Sequence, residues 1–216
     1  MKYEDIRQQV IDASLQASRM GLIRGTSGNI SVRSSDGKVI AITPTSIPYE
    51  QLTPGMVPLV LPDGTIVEGE YKPSSEMPMH TAILRSRPDL NAVVHTHSKF
   101  ATVLSIIGQT LPVLTIPLIA YAPAGVPIVP FQLPGSVELA EAVAAALVPG
   151  CNAIMMESHG LLVAGDTLEH AMSGADYVEE GAEIALYCYL ATKEIKGISE
   201  EQIKKLLAIL SGGRAL

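Results

Sequence analysis

His95 and His97 stand one residue apart at the end of the apolar run NAVVHTH. Along an extended strand, side chains at i and i+2 share a face, so the two imidazoles form a two-point clamp for one metal ion. A lone histidine there would read as a satisfied core residue. A pair, ending a run with no other need for polar groups, favours ligation. His159 sits in Ser158-His159-Gly160 between the apolar runs NAIMME and GLLVAG. A glycine beside it lets the backbone turn sharply and bring the ring forward. Glu76 starts a helical pattern just ahead of the NAVVHTH strand, where a carboxylate is also what a helix dipole stabilises, so alone it reads equally well as a helix-end charge. Three histidines and a carboxylate are donors typical of zinc, and the same set accepts cobalt or manganese. A catalytic site of this kind keeps one position open or loosely held. His80, four residues beyond Glu76, is expected to support the site or the core rather than to ligate, and His170 is expected at the surface.

A second group of residues suits an anion. Gly25-Thr26-Ser27-Gly28-Asn29 is a short glycine loop whose backbone N–H groups can converge on a phosphate. Thr43-Pro44-Thr45-Ser46 follows a strand pattern, and Ser74-Ser75 stands at a helix start, where free amides favour anions and where ordinary capping is the alternative. Because Ser75 adjoins Glu76, one helix start can present a phosphate site and a metal ligand together.

The elements that must position these residues are legible in the periodicity. Ile6, Val10, Ile11, Leu15 and Met20 recur at helical spacing before a stop at Gly21. ISVRS and KVIAIT alternate around Asp36-Gly37, and VPLVL and TIVEG around Pro62-Asp63-Gly64, giving two hairpins. A helix is expected from Ser74 or Ser75 to about Arg85, ended by Arg87-Pro88. A strand over NAVVHTH and a helix from Ser98 to Ile107 follow, then short strands VLTI and VPIVPF, and an alanine-rich helix from Ser136 to Leu147. NAIMME and GLLVAG read as two strands meeting at a tight corner. The last third reads as helical, with Thr167 as a cap and SEEQ as a capping box. Early antiparallel hairpins followed by mixed strands and helices imply one mixed sheet covered by helices, in a single domain over residues 1–216.

Composition narrows the partners. A formal charge of -7 and a pI near 5.2 leave no basic face for nucleic acid, so a bound phosphate must be held locally by amides and hydroxyls. Cys151 and Cys188 lack paired spacing and read as reduced thiols buried as small hydrophobes, which implies the cytoplasm. Prolines 112, 117, 123, 127 and 130 punctuate the most apolar region, so no membrane span is expected.

Taken in order, RGTSGNISVR, ITPTSIPYEQL, KPSSE, RSRPDLNAVVHTHS and SHGLLVAGD resemble the class II aldolase and adducin family over nearly the whole chain, especially its branch acting on fuculose 1-phosphate. The resemblance implies a three-layer α/β/α subunit with a mixed, largely antiparallel sheet, and a homotetramer with sites at subunit interfaces. It implies that His95, His97 and His159 hold zinc, with Glu76 a ligand at rest and an acid/base in turnover. Gly28, Asn29, Thr45, Ser46, Ser74 and Ser75 would cradle the phosphate. The implied reaction cleaves a ketose 1-phosphate, such as fuculose 1-phosphate or 5-deoxyribulose 1-phosphate, into dihydroxyacetone phosphate and an aldehyde through a metal-stabilised enediolate. Two features depart from that branch. A tyrosine lent by the neighbouring subunit is matched here by Ile116, leaving Tyr121 as a substitute proton donor, and a C-terminal tyrosine is replaced within SGGRAL. The aldehyde end is therefore expected to favour a deoxy or otherwise apolar tail. The epimerase branch that the family includes shares HTHS but carries a catalytic aspartate after it, and no acidic residue lies between His97 and Glu138 here, so the resemblance disfavours epimerisation. A related dehydratase or decarboxylase, and an inactive adducin-like interaction module, are the alternatives.

Overall fold

The structure is a computed structural model and describes residues 2–212. Helix α1 (Glu4–Arg19) buries Ile6, Val10, Ile11, Ala13 and Ala17 along one face, and Gly21 beyond it takes a left-handed φ of +77°. Strands β1 (Asn29–Arg33) and β2 (Ile40–Ile42) form the first hairpin, whose turn is fixed by Asp36 accepting from Ser34 Oγ and the Lys38 amide. The second pairs β3 (Leu59–Val60) with β4 (Ile66–Glu68). Then come α2 (Met77–Ser86), β5 (Ala92–Thr96), α3 (Lys99–Ile106), α4 (Ile116–Tyr121), β6 (Ile128–Val129), α5 (Val137–Ala146), β7 (Ala153–Met156), β8 (Gly160–Gly165), α6 (Leu168–Thr192) and α7 (Glu200–Gly212).

The strands make one eight-stranded sheet in the order β4-β3-β2-β1-β5-β8-β7-β6, antiparallel throughout except for the β6–β7 pair. Alternation along the strands divides the interior into two cores. Ile30, Val32, Val94, Met155, Leu161 and Val163 pack with α1, α3, α4 and α6 on one face. Ile42, Val93, Ile154 and Leu162 pack with α2 and α5 on the other. The result is the expected α/β/α arrangement around a mixed, mostly antiparallel sheet. The predicted caps form: Thr167 Oγ1 accepts from the His170 amide, and Ser199 and Gln202 exchange capping-box hydrogen bonds.

Four expectations need correction. The segment VLTI is not a strand: Thr115 is the N-cap of α4 and Pro117 lies in its first turn, where a missing N–H costs nothing. Helix α2 begins at Met77, so Ser74 and Ser75 precede it and Glu76 is its N-cap. Ser158, not a glycine, takes the left-handed turn at the β7–β8 corner, with φ +56°. Gly160 serves instead for close approach, since a Cβ there would lie 2.3 Å from the Thr96 carbonyl oxygen. Cys151 is buried as expected, but Cys188 is exposed on α6. Of the SGGRAL segment, the last four residues lie outside those described.

Candidate active site

Antiparallel pairing places the start of β1, the end of β5 and the start of β8 at one end of the sheet, with Asn29 opposite His95 and His95 opposite Leu162. On β5, His95 shares a face with Val93, the α2 side, so its ring meets Glu76 at the start of that helix. His97 lies just past the strand end and His159 in the corner before β8. The ring centroids are 4.8 Å (His95–His159), 5.0 Å (His95–His97) and 5.3 Å (His97–His159) apart. One potential ligand atom from each of these residues and from Glu76 lies within 4.8 Å of the others. The sequence-predicted donor set is thus brought together.

Protonation shows what this cluster is built for. His95 Nδ1 lies 2.9 Å from the Leu161 carbonyl, an acceptor only, so that nitrogen carries the proton and Nε2 presents a lone pair. That lone pair faces Glu76 Oε2 at 3.1 Å, while Glu76 Oε1 lies 3.2 Å from His159 Nε2. Glu76 Oε1, His95 Nε2 and His159 Nδ1 are buried without hydrogen-bond partners. Nitrogen and carboxylate oxygen atoms that converge here, several of them buried without a hydrogen-bond partner, suit a cation. The donors are three imidazoles and one carboxylate, which fit zinc or a similar divalent metal.

Burial raises the Glu76 carboxyl, but contacts with His159, His95 and the Asn29 amide outweigh it and hold the group well below the usual carboxylate range. His97, the most open of the four, is pushed down to about 4, first by desolvation and then by its neighbours His95 and His159. Neutral imidazole and ionised carboxylate are the forms that ligate.

The loops expected to bind phosphate line the same cavity, of about 300 Å³. Gly28, Asn29, Thr45, Ser46, Ser74 and Ser75 all face it, together with Glu76, His97, His159 and Pro134. Gly28 has φ +105°, and a Cβ there would lie 2.9 Å from the His95 carbonyl, so only glycine lets this loop cross β5 so closely. The loops are tied to one another through Thr45 N–H to Lys72 O and Ser74 N–H to Thr43 O. Ser74 Oγ also accepts from the Glu76 amide, a local turn ahead of the helix; the capping alternative does not hold for this serine, because Glu76 is the N-cap of α2.

Two contacts were not foreseen. Tyr49, buried with its hydroxyl pushed up to about 12, donates to the Gly28 carbonyl at 2.7 Å and pins the loop. Asn29, read only as a phosphate residue, donates from Nδ2 to Glu76 Oε2 at 2.8 Å. His80 is fully buried between Ser31 and Asn29, in the supporting place expected of it. No local spacing signals these contacts, which exist only once β1 and α2 pack. Tyr121 is not brought to this cavity within the protomer. It stacks on Tyr177 at 5.2 Å and lines a separate cleft with Ile116 and His170. His170 is only partly exposed, bonded through Nδ1 to Asp166 and set edge-on to Tyr121, because α4 packs over it.

Fold and donor set together define an α/β/α protein with a Glu/His group that could hold a metal ion, beside a cavity lined by a glycine loop and hydroxyl side chains. The chain belongs to the class II aldolase and adducin family: the model of the Class II Aldolase and Adducin N-terminal domain matches residues 8–186. It is 38% identical over 207 residues to the L-fuculose phosphate aldolase of Escherichia coli (strain K12), covering 96% of this chain and 94% of that one. It is 32% identical over 209 residues to the 5-deoxy-D-ribulose 1-phosphate aldolase of Bacillus thuringiensis serovar kurstaki, covering 95% of each. A solved L-fuculose 1-phosphate aldolase superposes with a TM-score of 0.91 at 27% identity, covering 98% of both chains.

Proposed function

We propose that this chain is a zinc-dependent aldolase that splits a ketose 1-phosphate reversibly into dihydroxyacetone phosphate and an aldehyde, with fuculose 1-phosphate and 5-deoxyribulose 1-phosphate as the leading substrates. The observation that carries this reading is the bare Nε2 of His95 set against an ionised Glu76 within the three-histidine cluster. The named activities of the two relatives above support it. A divalent cation held by His95, His97 and His159, with Glu76 beside it, supplies Lewis-acid stabilisation of the negative charge that develops on the substrate oxygens.

The chain's own residues do the rest. In the condensing direction Glu76 takes a proton from the hydroxymethyl carbon of dihydroxyacetone phosphate, and in cleavage it returns one to the same carbon. The amides of the Gly25–Asn29 loop and the hydroxyls of Thr45, Ser46, Ser74 and Ser75 hold the phosphate with neutral donors, as an acidic protein requires. Pro134 in the cavity, and Ile116 reaching it from a neighbouring copy, favour an apolar tail at the aldehyde end. We assign the proton on the aldehyde oxygen to Tyr121 of a neighbouring copy, in a homotetramer whose sites lie at subunit interfaces. Exposed Ile116, Phe131, Leu133 and Val137 supply apolar surface for such an assembly. Residues 1–216 act as one catalytic unit in this reading. Among the described residues no helix is long and apolar enough to cross a membrane, and two free cysteines suit the cytoplasm.

Metal-replete protein offered a series of ketose 1-phosphates should release dihydroxyacetone phosphate from at least one. Carbon dioxide, or a dehydrated ketone without dihydroxyacetone phosphate, would instead identify a decarboxylase or dehydratase. Less than roughly a tenth of an equivalent of metal after metal-replete purification would point to an inactive adducin-like module.

A further inference from the structure

Behind Glu76 lies a line of buried polar side chains that the reaction steps above do not use. Asn29, Ser31 and His80 are 5%, 0% and 0% exposed. Asn29 and Ser31 sit two apart on β1 and so share a face, and α2 lays the His80 ring across both.

Each hydrogen in this line has one direction open to it. The Glu76 carboxylate only accepts, so the Asn29 atom 2.8 Å from Oε2 is the amide nitrogen Nδ2. Asn29 Oδ1 therefore faces His80 Nε2, and that nitrogen must carry a proton. Full burial keeps the His80 ring neutral, so its Nδ1 is bare and accepts from the Ser31 hydroxyl at 2.7 Å. A neutral imidazole has one donor and one acceptor, and here both are spoken for.

We propose that Ser31 and His80 are positioning residues for Glu76. The line of hydrogen bonds from Ser31 to His80 to Asn29 holds the Asn29 amide in place with its nitrogen toward the carboxylate. Without the Ser31 donor, His80 Nδ1 is left buried with no partner and the ring is no longer held against Asn29 Oδ1. The Asn29 amide then loses its fixed position, and the carboxylate it donates to is held less firmly beside the histidines. The assignment rests on the reading of Glu76 as the acid/base of the proposed reaction.

Four metal-loaded proteins test it: the parent, Ser31→Ala, His80→Gln and His80→Leu. Ser31→Ala removes a single buried oxygen and is expected to fold as the parent does. It should lose roughly tenfold in kcat, the effect of one oriented hydrogen bond to a charged group, with KM and bound metal within about twofold of the parent. His80→Gln keeps an N–H donor toward Asn29 Oδ1 and should retain kcat to within about threefold, whereas His80→Leu should lose at least as much as Ser31→Ala. Parent-like kcat in Ser31→Ala, or equal losses in the Gln and Leu variants, would show that the cluster merely packs. A readout independent of the reaction is the 15N spectrum of the labelled imidazoles, with His80 identified by its absence in His80→Gln. A proton on Nε2 alone is expected, and a proton on Nδ1 overturns the assignment. A parent protein that shows the Nε2 proton but cleaves no ketose phosphate overturns the aldolase reading and leaves the hydrogen-bonded line supported.

Discussion

At His95 the two ring nitrogens have separate duties, Nδ1 donating to the Leu161 carbonyl and Nε2 facing Glu76. Truncating this ring removes a ligand and leaves a buried carboxylate uncompensated, so His95→Ala should lose bound metal and activity together, activity by at least roughly a hundredfold. Metal content and turnover measured on one sample decide this, and retained activity without metal would contradict it. Glu76→Gln keeps the shape and an oxygen but cannot take a proton. It should hold most of the metal and lose turnover by roughly 10²–10⁴-fold. At this scale the residues that cluster were legible in two ways: His95 and His97 through H-x-H on a strand, a local pattern, and His159 and Glu76 mainly through the family resemblance. The Asn29 contact to Glu76 and the Tyr49 contact to Gly28 span 47 and 21 residues, and nothing in the intervening chain encodes them.

Between secondary structure and site stand the corners and caps. The β7–β8 corner brings His159 forward only because Gly160 lets β8 pass against Thr96, where a Cβ would lie 2.3 Å from the carbonyl oxygen. Gly160→Ala should cost about 3 kcal/mol in urea unfolding and displace His159, weakening metal retention. A stability within about 0.5 kcal/mol of the parent would show that this approach is not strained. Thr167→Ala, by contrast, removes one cap of α6 outside the cavity of its own protomer, and should cost about 1 kcal/mol while leaving metal content unchanged. Hairpins with Asp-Gly turns and helices with Ser or Thr caps were legible because their signals lie within a few residues. The segment VLTI misled because its β-branched residues match a strand, whereas Pro117 and the packing of Leu118 against α6 favour a helical turn.

Across the whole molecule, two cores on opposite faces of one sheet hold the cluster at the sheet end, and burial of charge-capable groups there links folding to pH. His80 has its folded value lowered to about 3 from an ordinary 6.5, chiefly by burial. Between those values the unfolded chain binds a proton that the folded chain does not, so stability rises with pH across the window and falls on acidification. Glu76 acts in the same direction at lower pH, because its folded value is depressed below the ordinary 4.5. Metal-free protein should therefore lose stability as pH drops below about 6.5, and His80→Gln should show a shallower slope within the window. Equal slopes would show that His80 does not carry the effect. The order of strands across the sheet was not legible, since it depends on which hairpin edge β5 and β8 join. The two-faced character of the sheet was, through the alternation of its strands.

The most direct measurement is solvent deuterium exchange into dihydroxyacetone phosphate, which needs no knowledge of the aldehyde. Metal-loaded protein in D₂O should exchange the hydroxymethyl proton, and chelator-treated protein and Glu76→Gln should not. No exchange by the loaded parent, or undiminished exchange in Glu76→Gln, would contradict the role of Glu76 beside a metal held by His95, His97 and His159.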